Sequence, residues 1–97
     1  MIGDKQGKGV GELDAPIKVA ADEKNQYVWV TDSHNHRVQS FGLSDGKFVR
    51  GWGSKGTENG QFACPHGICL QRGTNHIIVT DTLQHCVQAF MDHWIEE

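Results

Sequence analysis

No part of this 97-residue chain runs apolar for the roughly 18 residues that a membrane span needs. Nor does the start, Met1-Ile2-Gly3-Asp4-Lys5, carry the apolar stretch of a secretory leader. An excess of positive charge is also lacking. The 9 Lys and Arg residues stand against 12 Asp and Glu, a net charge of -3, which argues against a bare polyanion-binding surface. Cysteine is scarce and odd in number: Cys64, Cys69 and Cys86. That count predicts no disulfide framework and a reducing, cytoplasmic location, with the thiols acting as small buried hydrophobes. No apolar period of 3.6 residues persists long enough to predict a helix, so an all-helical fold is excluded. The length allows one small domain, which buries only roughly 60–65% of its unfolded surface.

What the chain has in abundance is itself. Shifted by 49 residues, two halves fall into register without a gap, with 10 identities in 35 aligned positions. Gly7, Gly11, Pro16, Val30, Thr31, Asp32, His36, Val38, Gln39 and Phe41 land on Gly56, Gly60, Pro65, Val79, Thr80, Asp81, His85, Val87, Gln88 and Phe90. A fixed period of this size is the signature of a repeat architecture.

Within the halves, runs rich in β-branched and aromatic residues predict strands at 17–21, 27–31, 38–41 and 47–52, then at 66–70, 76–80 and 86–90. Turn formers separate them: Asp22-Glu23-Lys24-Asn25, Asp32-Ser33-His34-Asn35, Ser44-Asp45-Gly46 and Arg72-Gly73-Thr74-Asn75. Four short antiparallel strands in each 40–50 residues is the arithmetic of a β-propeller blade. Gly51 and Gly53 flank Trp52 where the outermost strand must turn back, and Pro16 and Pro65 stand just before the innermost strands. The expected fold is therefore all-β: a single partial propeller of about two blades over 1–97. Repeat one covers 7–53 and repeat two 56–90, the second without its last rim strand, and 91–97 is a tail of undetermined structure.

The string Gly-x3-Gly-x-Leu/Phe-x2-Pro followed by Val-Thr-Asp-x3-His-x-Val-Gln-x-Phe resembles the NHL repeat, and it occurs twice. The resemblance implies a binding module. Its relatives include the substrate-selecting propellers of tripartite-motif ubiquitin ligases and several RNA-binding propellers, and they usually close with about six blades. Three expectations follow from the blade count: the chain is a fragment of a longer propeller, three copies form a homotrimer that completes a six-blade ring, or it persists as an open, marginal two-blade unit.

The repeat also sorts the polar residues. Features shared by both halves serve the blade; features of one half are freer to serve a ligand. Asp32 and Asp81 are read as Asx carboxylates capping their own turns, with His36 and His85 tying the same turns. Neither half offers the consistent nucleophile that an Asp–His catalytic pair requires, so no enzyme is expected. His66 stands alone, because Ile17 occupies its place in the first half. Cys64-Pro65-His66-Gly67-Ile68 distantly resembles the inner-strand motif of the amidating lyase propeller, whose histidines hold a metal. One histidine does not make such a site, and no metal or cofactor is expected. Arg37, Arg50, Lys55 and Lys18 read as scattered solvated charges.

Binding residues concentrate on loops held by a rigid scaffold. The turns after the second strand of each blade and the blade-to-blade crossing share one face. On it the candidates are His34, Asn35, Lys55, Glu58, Asn59, His66, Leu83 and Gln84. Their mixed charge predicts a protein or peptide partner. RNA is the less favoured alternative, since three copies would carry -9 (3 × -3); a metal-dependent lyase-like site at His66 is the other.

Overall fold

The β-branched runs become seven strands in the computed structural model: β1 Pro16–Asp22, β2 Tyr27–Asp32, β3 Arg37–Gly42, β4 Phe48–Trp52, β5 Pro65–Gln71, β6 His76–Asp81 and β7 Cys86–Met91. The structure describes residues 6–71, 73 and 76–91. The chain start, most of the Arg72-Gly73-Thr74-Asn75 turn and the tail beyond Met91 lie outside them. Each expected strand is present, with ends moved by a residue or so. Pro16 and Pro65 open their strands rather than preceding them, and both sit beside a register shift, where a proline's missing N–H does least harm.

Two antiparallel sheets result, one in the order β1-β2-β3-β4 and one in the order β5-β6-β7. Alternation along the strands gives each blade two faces. In the first blade, the cross-strand pairs Val28–Phe41 and Val30–Gln39 lie on one face, and Trp29–Ser40 and Thr31–Val38 on the other. The second blade repeats this with Ile77–Phe90 and Val79–Gln88 on its first face, Ile78–Ala89 and Thr80–Val87 on its second.

The second face of the first blade packs on the first face of the second. Trp29, Val38, Phe62, Ile77, Val79 and Phe90 form one buried cluster, with Trp52, Ile68 and Leu70 packed against it. Edge-to-face ring contacts link it: Trp29–Trp52 at 5.5 Å, Trp52–Phe90 at 4.8 Å and Phe62–Phe90 at 5.9 Å. Fully burying each large side chain here contributes about 1.5–3 kcal/mol. A smaller cluster of Leu13, Val28, Val30 and Phe41 covers the first face of the first blade.

Polar clasps cross between the blades beside the apolar cluster. The Thr31 hydroxyl donates to the His66 carbonyl at 2.9 Å, and the Ser33 hydroxyl donates to the Pro65 carbonyl. At the rim, Gly51 lets β4 lie close to β3. A Cβ there would come within 2.8 Å of the Val38 carbonyl oxygen.

Candidate functional site

The crossing segments around residues 6–15 and 55–64 are held to their blades by one repeated set of side chains. Gln39 accepts from the Gly11 amide at 3.1 Å and donates to the Glu12 carbonyl at 2.8 Å. Gln88 does the same with Gly60 and Gln61, both at 2.9 Å. Asp32 accepts from the Asp14 amide at 2.7 Å, and Asp81 from the amides of Ala63 at 2.8 Å and Cys64 at 3.0 Å.

These contacts correct the expected role of Asp32 and add to that of Asp81. Asp32 caps nothing in its own short 3₁₀ turn, Ser33–Asn35; it reaches across to the crossing segment. Asp81 does both: it accepts from its own turn's Gln84, at 2.6 Å from the side-chain amide and 3.4 Å from the backbone amide, and from the crossing as well. Burial works to raise the Asp81 pKa. The Gln84 side chain and the amides of Ala63, Cys64 and Gln84 together outweigh it, leaving the carboxyl below its ordinary value.

His36 also has a second role. Its amide closes its own turn on the Ser33 carbonyl at 3.2 Å, as expected, while its Nδ1 lies 2.8 Å from the Ala63 carbonyl oxygen and joins that turn to the other blade's crossing. Both His36 and His85 adopt left-handed backbone, at φ 55° and 54°.

Arg37 is no scattered surface charge. Its Nε donates to the buried Asp32 carboxylate at 2.7 Å, and its terminal nitrogens donate to the carbonyls of Lys8, Gly9 and Glu12 at 3.0, 3.0 and 2.6 Å. The planar fork thus clamps the first crossing segment. Arg50 also has a partner, its guanidinium lying 5.2 Å over the Tyr27 ring. The thiols depart from expectation too. All three are free, but Cys64 is only half-buried, and Cys69 and Cys86 are exposed.

Where the two crossings meet the turn after β2, the surface opens into a cleft of about 450 Å³. Lys8, His34, Asn35, His36, Arg37, Gly53, Ser54 and Lys55 line it. None of these residues is a carboxylate, although the chain as a whole is acidic. Lys8 and Lys55 are exposed at its walls, and His34 Nδ1 lies 3.5 Å from Asp14 Oδ1. One wall depends on Gly53 at φ +119°, where a Cβ would meet the Arg37 Cα and the His36 carbonyl oxygen, each at 2.8 Å.

Of the eight residues singled out from the sequence, His34, Asn35 and Lys55 line this cleft. Asn35 is also structural, donating to the Gly7 carbonyl at 2.7 Å and to Asp32 at 3.1 Å. Glu58 and Asn59 are exposed on the second crossing, and Leu83 is 69% exposed on the turn after β6. Gln84, on that same turn, gives its amide to Asp81 at 2.6 Å. His66 is half-buried in β5. Those five stand apart from the cleft. Sequence reasoning passed over Lys8, His36, Arg37, Gly53 and Ser54; of these, Arg37 had a signal, since Cys86 replaces it in the other repeat. Among the described residues, no three His, Cys, Asp or Glu side chains gather where a metal could be held. Nor is any helix among them long and apolar enough to cross a membrane.

Antiparallel blades of four and three described strands, stacked face to face and joined by glycine-rich crossings, define a β-propeller type of repeat protein. Comparison with known families matches the NHL repeat at residues 13–41 and 62–90, and the chain belongs to the NHL-repeat family. Repeats of this kind are commonly protein-interaction modules. A curated relative, NHL repeat-containing protein 2 of Gallus gallus, is 26% identical over 98 residues. That match takes in 91% of this chain but only 13% of the relative's length.

Proposed function

We propose that the chain is a protein-interaction module, not an enzyme, and that the crossing-loop face receives an acidic segment of a partner protein. The supporting observation is the cleft: five nitrogen-bearing cationic or titratable side chains and no carboxylate line it, on a chain of net charge -3. Arg37 and Asp32 compensate each other, so the net attraction comes from Lys8 and Lys55 at the mouth, with Asn35 and Ser54 available for hydrogen bonds. Blade packing holds these loops in place, which reduces the ordering that binding requires. A ring of six blades from three two-blade chains would repeat this cleft three times.

The test uses a panel of synthetic acidic peptides and a 20-nucleotide single-stranded RNA as the competing probe. Saturable peptide binding that Lys8→Glu and Lys55→Glu weaken by about tenfold or more supports the reading. RNA binding with steep loss on added salt, and no peptide binding, replaces it with the nucleic-acid alternative.

A further inference from the structure

We infer that Asn59 is a site of self-modification: attack by the Gly60 backbone nitrogen converts its side-chain amide to aspartate or isoaspartate, and Gln88 holds the rate down. The inference is independent of what the cleft binds and of how many chains associate.

An asparagine followed by glycine is open to this attack because glycine has no Cβ to hinder the approach of its nitrogen. Asn59-Gly60 is such a pair, on the second crossing. The Asn59 side chain is exposed and pairs with nothing among the described residues. The other described asparagines are protected twice over. Asn25 precedes Gln26 and gives its amide to Asp22 at 2.8 Å. Asn35 precedes His36 and gives its amide to the Gly7 carbonyl at 2.7 Å and to Asp32 at 3.1 Å. On the first crossing the equivalent place holds Val10, so that crossing lacks the chemistry.

The turn around Asn59 sets the pace. The Gln61 backbone amide donates to the Glu58 carbonyl at 3.0 Å, and Gly60 takes φ +80°, the pattern of a type II turn. Such a turn gives its second residue, here Asn59, a ψ of about +120°. Reaction needs that bond to swing round until the Gly60 nitrogen faces the side-chain carbonyl carbon. Gln88, on β7, opposes the swing. Its Oε1 accepts the Gly60 N–H and its Nε2 donates to the Gln61 carbonyl, both at 2.9 Å. The first of these bonds also occupies the proton that the attacking nitrogen must lose.

In the reaction, hydroxide takes the Gly60 amide proton and the nitrogen bonds to Asn59 Cγ. The C–N bond of the side-chain amide breaks, and the leaving nitrogen departs as ammonia with a proton from water. Water then opens the cyclic imide. Opening at Cγ leaves an aspartate; opening at the backbone carbonyl leaves an isoaspartate, which adds one methylene to the path of the chain. Nothing is oxidised or reduced, and the crossing gains one negative charge on a chain already at -3.

The experiment incubates the folded 97-residue chain at neutral and at mildly alkaline pH. Mass spectrometry follows the tryptic peptide 56–72, in which Asn59 is the sole asparagine. Labelling with an isoaspartyl methyltransferase separates the two products. The wild type is expected to react at Asn59, and faster in alkali. In Gln88→Leu, with the fold checked by circular dichroism, the rate should rise about two- to tenfold, the equivalent of one net amide hydrogen bond. Gln88→Glu keeps an acceptor for Gly60 and loses the donor to Gln61, so it should react at an intermediate rate. That variant carries the test if Gln88→Leu loses the fold. A folded wild type that stays unmodified at Asn59, with the urea-unfolded chain as the reacting control, overturns the site. A folded Gln88 variant that reacts no faster than the wild type overturns the control by Gln88.

Discussion

Val38 and Val87 occupy one place in two successive blades, with the same neighbours in sequence: a histidine two residues before and a glutamine just after. Val38 is sealed inside the inter-blade core, and Val87 is 63% exposed. The strand geometry that presents them is the same, each paired to a threonine on the strand before. What separates them is whether another blade lies against that face. In this fold a residue's own strand decides which way it points, and the neighbouring blade decides what it contributes.

The aspartates sharpen the comparison. Asp32 and Asp81 perform the same tie to the crossing segment, but only Asp32 has a cation beside it, Arg37. Removing Asp32 leaves Arg37 and an amide without their partner, so Asp32→Ala should cost about 3–5 kcal/mol. Asp81→Ala orphans amides and the Gln84 side chain but no charge, and should cost about 1–3 kcal/mol. Urea unfolding of both variants reads the gap. Equal costs would mean that the Arg37 contact adds nothing.

The valine pair comes next. Val38→Ala removes two buried methyl groups and leaves a cavity, a loss of about 1.5–3 kcal/mol. Val87→Ala in the isolated chain should stay within about 0.5 kcal/mol. Thermal unfolding at low concentration measures this contrast, and raising the concentration should widen the Val87→Ala effect if that face becomes covered.

Most of the architecture was legible because a blade is encoded locally. Runs such as Val28-Trp29-Val30-Thr31 specify a strand from their own side chains, and the 49-residue shift said that two such sets stack. The roles of Asp32, His36 and Arg37 were not legible for the opposite reason. Their partners are backbone groups of Lys8, Gly9, Glu12, Asp14 and Ala63, which no side-chain pattern marks and which become neighbours only after the crossing folds over. The exposure of Cys69 and Cys86 was hidden too, because burial on a blade face depends on the next blade. His34, Asn35 and Lys55 were found by asking which loops share a face; Lys8 was missed because a solvent-facing lysine looks the same in sequence whether or not a cleft lies beside it.

Cys86 stands at the position of Arg37, so the clamp of the first blade can be copied into the second. In Cys86→Arg, the new guanidinium would have Asp81 beside it and the carbonyls of Thr57, Glu58 and Gln61 at the places of Lys8, Gly9 and Glu12. A gain of about 1 kcal/mol is expected, the usual size of a well-placed surface improvement. The urea midpoint should rise without a change in slope. An unchanged midpoint would mean that the second crossing lies too far from β7 to be gripped.

The smallest effect is in acid, because burial and hydrogen bonding oppose each other at Asp81. The hydrogen bonds prevail and hold its pKa below the ordinary 3.8. A carboxyl depressed in the folded state contributes stability that is fully present above its unfolded pKa and is lost as pH falls through the folded value. The unfolding midpoints of wild type and Asp81→Asn should therefore differ by a constant amount from neutral pH down to about pH 5, then converge below about pH 4. Asparagine accepts through one oxygen and does not titrate, so the variant has no such step of its own. A gap that stays constant into acid would place the contribution of Asp81 in the shape of its hydrogen bonds rather than in its charge.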